Sequence, residues 1–224
     1  MKKNIARLGL VAAAGWALGI AGASGAAPKA PAPLPYPLDY CVVMNEPLDP
    51  NRGPVTLEYQ GREIRFCCQA CVKKFKADPP KYLKMIDAAV MEAQRPLYPV
   101  TTCVVDGTPL GTSPVEFLYR NTLVRVDRDA CRAVFEAAPD GPLARLQQAV
   151  IAQQGPAYPL PTCVVTGEKL GGMGAPVDYV FQGRLVRFCC SGCIGKFEAD
   201  PFAYLKKIPA PSVPPSPAAT PVAH

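Results

Sequence analysis

The fold of this chain is decided by a cysteine-rich stretch that reads RFCCQACVKKFKADP at residues 65–79. The stretch recurs almost letter for letter as RFCCSGCIGKFEADP at residues 187–201. Each copy has three cysteines within five residues, where an alternating, strand-like segment meets an amphipathic, helix-like segment. Thiols concentrated in this way either coordinate a soft metal ion or take part in disulfide chemistry.

The rest of the chain is organised as three repeats with a period near sixty residues. Their openings read YPLDYCVV at residues 36–43, YPVTTCVV at 98–105 and YPLPTCVV at 158–165. We place repeat one at residues 36–92, a degenerate repeat two at 98–152 and repeat three at 158–208. The Pro/Ala/Ser-rich segment at residues 209–224 is predicted to be a disordered tail.

Within each repeat the pattern predicts a β-hairpin followed by two short helices. Two alternating segments flank a tight turn at Gln60-Gly61, Arg120-Asn121 or Gln182-Gly183. Asp78-Pro79 and Asp200-Pro201 match a helix N-cap followed by proline at the first helical position. The predicted fold class is therefore α+β, built from tandem small units of about 50 residues, a size that usually needs a staple beyond its core.

The N-terminus has the form of a secretory signal peptide, assigned to residues 1–27. Lys2, Lys3 and Arg7 precede an uncharged run of apolar and small residues, and small residues near Ala26 offer a cleavage site. A retained membrane anchor is the alternative, but the apolar run is short and rich in Ala and Gly. We therefore expect an exported protein, periplasmic or extracellular, without stable membrane insertion after cleavage.

Charge and composition exclude several functions. The net charge is +6 and falls to +3 without the signal peptide, too little and too evenly spread for a nucleic-acid partner. The only histidine, His224, lies at the end of the tail, so histidine-based catalysis is unsupported. With neither a phosphate loop nor a nucleophile elbow in the sequence, we predict a protein that is not an enzyme.

The ten cysteines divide four, two and four among the repeats, and the two sets of four have the same spacing. Cys67 and Cys71 would share one helix face, and the hairpin would return the chain so that Cys41 approaches them. Cys68, or the thioether of Met44, is a candidate fourth ligand. Such sulfur-rich sites suit Cu(I) or Zn²⁺. The predicted metal ligands are Cys41, Cys67, Cys68, Cys71, Cys163, Cys189, Cys190 and Cys193.

Repeat two has lost most of this pattern. It retains only Cys103 and Cys131, and Asp127 stands where repeat one has Cys67. We interpret it as a structural spacer closed by a Cys103–Cys131 disulfide.

Two other uses of the cysteines stay open. Small exported domains are commonly cross-linked, so the cysteines of repeats one and three are alternatively disulfide staples of a structural or interaction module. The Cys-x-x-Cys motifs at residues 68–71 and 190–193 also allow thiol-disulfide redox chemistry, although a thioredoxin-like protein would need a βαβ context about twice as long.

Repeats one and three resemble the YHS/TRASH family of small, cysteine-rich, metal-associated domains. The shared features are the single opening cysteine, the aromatic-containing hairpin, the motif F-C-C-x-x-C-x-x-K-F-x-x-D-P and the Tyr-Leu pair that follows. The resemblance implies a treble-clef-like fold and heavy-metal binding, sensing or trafficking. Relatives often open with Cys-x-x-Cys, whereas Met44, Asp106 or Thr166 takes the second position here. A complete site would therefore use Cys68 or Cys190, or accept another ligand.

The sequence thus predicts an exported heavy-metal-binding protein that uses cysteine thiolates in buffering, resistance or trafficking. Its partners would be metal ions and a metal-donor or metal-acceptor protein.

Overall fold

The structure is a computed structural model that describes residues 32–49, 52–172 and 174–211. The predicted signal peptide at residues 1–27, and the predicted tail from residue 212 onward, lie outside the described residues. None of the helices within the described ranges is long and apolar enough to cross a membrane.

The three repeats share a β-hairpin followed by two helices, and the α+β class is confirmed. Repeat one has strands β1 (Tyr40–Cys41), β2 (Glu46–Pro47), β3 (Val55–Tyr59) and β4 (Arg62–Phe66), then helices α1 (Gln69–Ala77) and α2 (Pro79–Gln94) and the 3₁₀ turn Arg95–Leu97. Repeat two has β5 (Val115–Tyr119), β6 (Thr122–Val126), α3 (Asp129–Ala137) and α4 (Asp140–Gln154). Repeat three has β7 (Val177–Phe181), β8 (Arg184–Phe188), α5 (Gly192–Ala199) and α6 (Pro201–Leu205).

The predicted hairpins are confirmed as antiparallel pairs β3–β4, β5–β6 and β7–β8, joined by two-residue turns. Both residues of each turn have positive φ, for example 51° at Gln60 and 70° at Gly61. That conformation matches the right-handed twist of the flanking strands and favours Gly and Asn. In repeat two Arg120 and Asn121 adopt it at 48° and 62°.

The predicted N-caps are also confirmed. The Asp78 carboxylate accepts a hydrogen bond from the Lys81 backbone N–H at 3.3 Å, and Pro79 begins α2. Asp200 caps α6 in the same way through the N–H of Ala203 at 3.3 Å. These caps separate the two helices of a repeat, and α2 goes on to pack against the β5–β6 hairpin of repeat two.

A buried phenylalanine forms the centre of each repeat's hydrophobic core. Phe75, Phe135 and Phe197 have no exposed surface, and each meets an aromatic ring of its own hairpin edge to face. Tyr59 contacts Phe75 in this way at a ring-centroid distance of 5.4 Å. This packing holds the first helix against the hairpin, and with it the cysteine-bearing junction between them.

Buried glutamines connect successive repeats. Gln94, at the end of α2, is 3% exposed; its amide donates to the Asn121 carbonyl at 2.8 Å and accepts from the Leu123 N–H at 2.9 Å. Gln154, at the end of α4, repeats the arrangement: it donates to the Gly183 carbonyl at 2.7 Å and accepts from the Leu185 N–H at 2.9 Å. Each glutamine thus caps the hairpin edge of the repeat that follows.

In repeat one, backbone groups take the place of that glutamine. The N–H of Leu34 donates to the Gly61 carbonyl at 2.9 Å, and its carbonyl accepts from the Glu63 N–H at 2.8 Å. These are the hairpin positions that correspond to those held by Gln94 and Gln154 in the later repeats. Repeat three in turn contacts repeat one, because Gln182 donates to the Pro37 carbonyl at 2.9 Å.

Candidate metal centre

A tight turn presents the opening cysteine of each repeat. The carbonyls of Cys41, Cys103 and Cys163 each accept a hydrogen bond, at 2.7 to 2.9 Å, from the backbone N–H four residues later. The donor residue has positive φ in all three turns: 56° at Asn45, and 80° and 78° at the equivalent glycines 107 and 167. The three side chains therefore enter their clusters from equivalent backbone positions.

In repeat one the structure brings three of the predicted ligands together. The sulfurs of Cys41, Cys67 and Cys71 all lie within 4.8 Å of one another. Cys71 is in the first turn of α1, whereas Cys67 precedes the helix, which begins at Gln69. Even so, the two sulfurs are 3.6 Å apart, because the extended backbone at Cys68 places Cys67 beside the helix N-terminus.

Repeat three reproduces this cluster with Cys163, Cys189 and Cys193, again within 4.8 Å of one another. Their sulfurs are 3.8 Å apart between Cys163 and Cys193, and 3.7 Å apart between Cys189 and Cys193. The Thr166 hydroxyl lies within hydrogen-bond distance of the Cys189 sulfur, at 3.5 Å.

The sulfur spacing fits a coordinated metal ion. A tetrahedral Zn²⁺ with bonds of about 2.3 Å to sulfur separates its ligand atoms by about 3.8 Å. The separations of 3.6 to 3.8 Å within the two clusters match that edge length. Disulfide-bonded sulfurs are about 2.05 Å apart. All ten cysteines of the chain lie within the described residues and are free thiols.

The predicted fourth ligands, Cys68 and Cys190, lie beside the clusters but outside the groups of three. The Cys68 sulfur is 3.6 Å from that of Cys71, and the Cys190 sulfur is 4.0 Å from that of Cys193. Backbone N–H groups at the helix N-terminus lower the pKa of both thiols. The largest contribution comes from the N–H of Cys71 for Cys68, and from the N–H of Gly192 for Cys190. Each thiol contacts one sulfur of its cluster without belonging to the group of three.

Within each group of three, the thiols differ in pKa because their surroundings differ. Burial by itself raises the pKa of Cys163, but hydrogen bonds from the Thr166 hydroxyl and the Cys189 backbone outweigh it and lower the pKa to about 6. Burial and hydrogen bonding to the neighbouring sulfurs raise the pKa of Cys193 to about 12. In repeat one the pKa of Cys41 is likewise lowered and that of Cys71 raised. Each group therefore pairs a thiol that ionises readily with one that holds its proton.

The two clusters differ in their access to solvent. All three sulfurs of repeat three belong to buried residues. In repeat one Cys67 is exposed, as is Cys68, and the cluster opens on a cleft of about 540 Å³ that Met44 and Lys74 also line. Met44 is 49% exposed.

Repeat two assembles a mixed group that our sequence interpretation missed. The predicted Cys103–Cys131 disulfide is not formed; instead the Cys131 thiol donates to a carboxylate oxygen of Asp106 at 3.2 Å. One ligand atom from each of Cys103, Asp106, Asp127 and Cys131 lies within 4.8 Å of the others. The available signal was positional: Asp106 occupies the turn position of Met44 and Thr166, and Asp127 that of Cys67.

These features define repeat one as a small cysteine-rich domain with the arrangement of a metal site. Residues 45–85 match the family profile of the YHS domain, so repeat one contains a YHS domain. The match includes Cys67, Cys68 and Cys71 and covers less than a fifth of the chain. A comparison with curated proteins and with solved structures finds no match to the chain. The YHS domain and the cysteine clusters together indicate metal binding.

Proposed function

We propose that this is an exported, non-enzymatic metal-binding protein that holds one thiophilic ion, Cu(I) or Zn²⁺, in each of repeats one and three. Each of these repeats would fold as a treble-clef-like unit around its ion. The observation that carries the proposal is the recurrence of the same three-sulfur group, at the spacing of a coordinated ion, in two repeats about 120 residues apart.

The difference in exposure favours a role in buffering or delivery. A closed site holds its metal, whereas a site with an open side exchanges it with other ligands. We propose that the cluster of Cys41, Cys67 and Cys71 exchanges metal with a donor or acceptor protein through the open cleft. The buried cluster of repeat three would retain its ion and stabilise the array.

Counting metal ions in matched variants tests the proposal. The chain is purified from its own compartment, and native mass spectrometry with thiol counting is applied to the wild type, Cys41→Ser, Cys163→Ser and the double variant. We expect each single variant to lose one Cu(I) or Zn²⁺ and the double variant to lose two. Ser191→Ala is the control, because Ser191 is exposed and makes no side-chain cap bond at α5.

Unchanged metal content in both single variants would show that the assigned ligand sets are wrong. A metal-free, fully oxidised protein that ignores added Cu(I) and Zn²⁺ would instead support a disulfide-stapled scaffold. Cys68→Ser adds the fourth-ligand test, with a weaker affinity at repeat one expected if Cys68 completes that set.

A further inference from the structure

The mixed group of repeat two keeps the geometry of the thiolate clusters with different ligand chemistry. Cys103 and Cys131 occupy the positions of Cys41 and Cys71, and both are buried, at 2% and 3% exposure. Asp127 follows β6 where Cys67 follows β4, and Asp106 lies in the opening turn. Two thiols and two carboxylates therefore converge where repeat one has its sulfur cluster.

Asp127 is the observation that points to a ligand. Only 11% of its side chain is exposed, and its Oδ1 atom is buried without a hydrogen-bond partner. Burying a carboxylate oxygen without a partner is unfavourable, and an apolar residue at this position would avoid that cost. The oxygen lies beside two thiols and a second carboxylate, which a cation would satisfy together.

We propose that repeat two holds a third metal ion, a divalent ion of the Zn²⁺ class, through Cys103, Asp106, Asp127 and Cys131. Carboxylates favour harder ions than thiolates do, so this mixed set discriminates against Cu(I), which the sulfur clusters accept. A tetrahedral Zn²⁺ separates a sulfur and a carboxylate ligand by about 3.5 Å. The distance of 3.2 Å between the Cys131 sulfur and Asp106 Oδ2 is close to that value.

Arg128 acts as a counter-charge at the edge of this site. Its guanidinium contacts Asp106 Oδ2 at 3.0 Å and pairs with Asp127 Oδ2, while 56% of its side chain stays exposed. It occupies the position of Cys68 in repeat one. Because Arg128 is cationic and forms ion pairs with both carboxylates, it competes with the metal ion for their oxygens and weakens metal binding.

Zinc titration of the full mature chain, followed by native mass spectrometry, tests this site. We expect the wild type to bind one more Zn²⁺ than Cu(I). Asp127→Asn keeps the side-chain volume but should weaken the additional Zn²⁺ at least tenfold, and Cys131→Ser should abolish it. Asp129→Asn, two residues further along and exposed in the first turn of α3, is the matched control and should retain the ion.

Arg128→Gln provides an independent arm that does not remove a ligand, and it should tighten the additional Zn²⁺. Equal Zn²⁺ and Cu(I) counts in the wild type overturn the proposed metal class. Full retention of the ion in Asp127→Asn overturns the ligand set, and absence of the ion from both wild type and Arg128→Gln overturns the site. This proposal goes beyond the two thiolate sites. The Asp127→Asn and Arg128→Gln arms do not depend on them, since those variants leave Cys41 and Cys163 intact, whereas the comparison of Zn²⁺ and Cu(I) counts rests on the proposed function of the sulfur clusters.

Discussion

The connection between repeats two and three gives a prediction whose size follows from the structure. Gln154→Met removes the two hydrogen bonds, of 2.7 and 2.9 Å, that join α4 to the hairpin of repeat three. Methionine has a similar length and shape but cannot replace the amide. The change therefore leaves the carbonyl of Gly183 and the N–H of Leu185 without their partner.

The expected cost is about 2–4 kcal/mol. An unsatisfied buried polar group costs about 1–3 kcal/mol. The bond to Leu185 is buried and carries that full cost, whereas the bond to Gly183 is partly buried, so water recovers part of the loss. With a urea m-value of about 2 kcal/mol/M, the unfolding midpoint falls by about 1–2 M.

Urea unfolding monitored by circular dichroism, at equal metal content, measures the effect. Gln148→Met, on an exposed face of the same helix, is the matched control and should shift stability by less than about 0.5 kcal/mol. If Gln154→Met unfolds at the midpoint of Gln148→Met, the glutamine contributes nothing to the connection and our reasoning is refuted.

Three further predictions concern the cluster of repeat one and the helix that follows it. When excess chelator is added to the zinc-loaded protein, zinc should be released in separate kinetic phases. Cys41→Ser should abolish the fastest phase, because the cluster of repeat one is open to solvent at Cys67. A single phase of unchanged rate would contradict this. In the metal-free protein, alkylation of Cys68 should begin at lower pH than in the urea-unfolded chain, because the backbone N–H of Cys71 stabilises the thiolate and lowers the Cys68 pKa. Coincident pH–rate profiles would show that the folded backbone does not stabilise the thiolate. Asp78→Ala should lower the free energy of unfolding by about 1 kcal/mol, because it removes the N-cap of α2. Asp78→Ser should be nearly neutral, because serine can also cap a helix. Equal losses in both variants would rule out capping as the cause.

The hairpins and helix caps could be predicted from sequence because their causes are local. Alternation over five residues and a two-residue turn specify β3–β4, and an Asp-Pro pair specifies the start of α2. The approach of Cys41 to the junction followed from the hairpin's return. These predictions needed only residues within one repeat.

The connections between repeats, and the group in repeat two, could not be predicted in this way. Gln94 and Gln154 are polar residues at helix ends, and nothing local distinguishes an amide that will be buried against the next hairpin from a solvated one. Asp127 reads as a lost cysteine when residue identity is compared. Only the folded position shows that its carboxylate lies where a sulfur of repeat one lies, with Asp106 beside it.

The backbone of Leu34 and the side chains of Gln94 and Gln154 form equivalent hydrogen bonds with the hairpin that follows each of them. A hairpin can therefore accept either kind of partner. Every hairpin presents the same carbonyl and N–H pair, whether a peptide group or a glutamine amide fills it. Excising residues 98–157 would place Gln94 at the same distance along the chain before Gly183 as Gln154 now has, 29 residues. An array that gains or loses a whole repeat can thus keep this connection between neighbouring repeats. The contact of Gln182 with Pro37 would change, and so would the number of cysteine clusters.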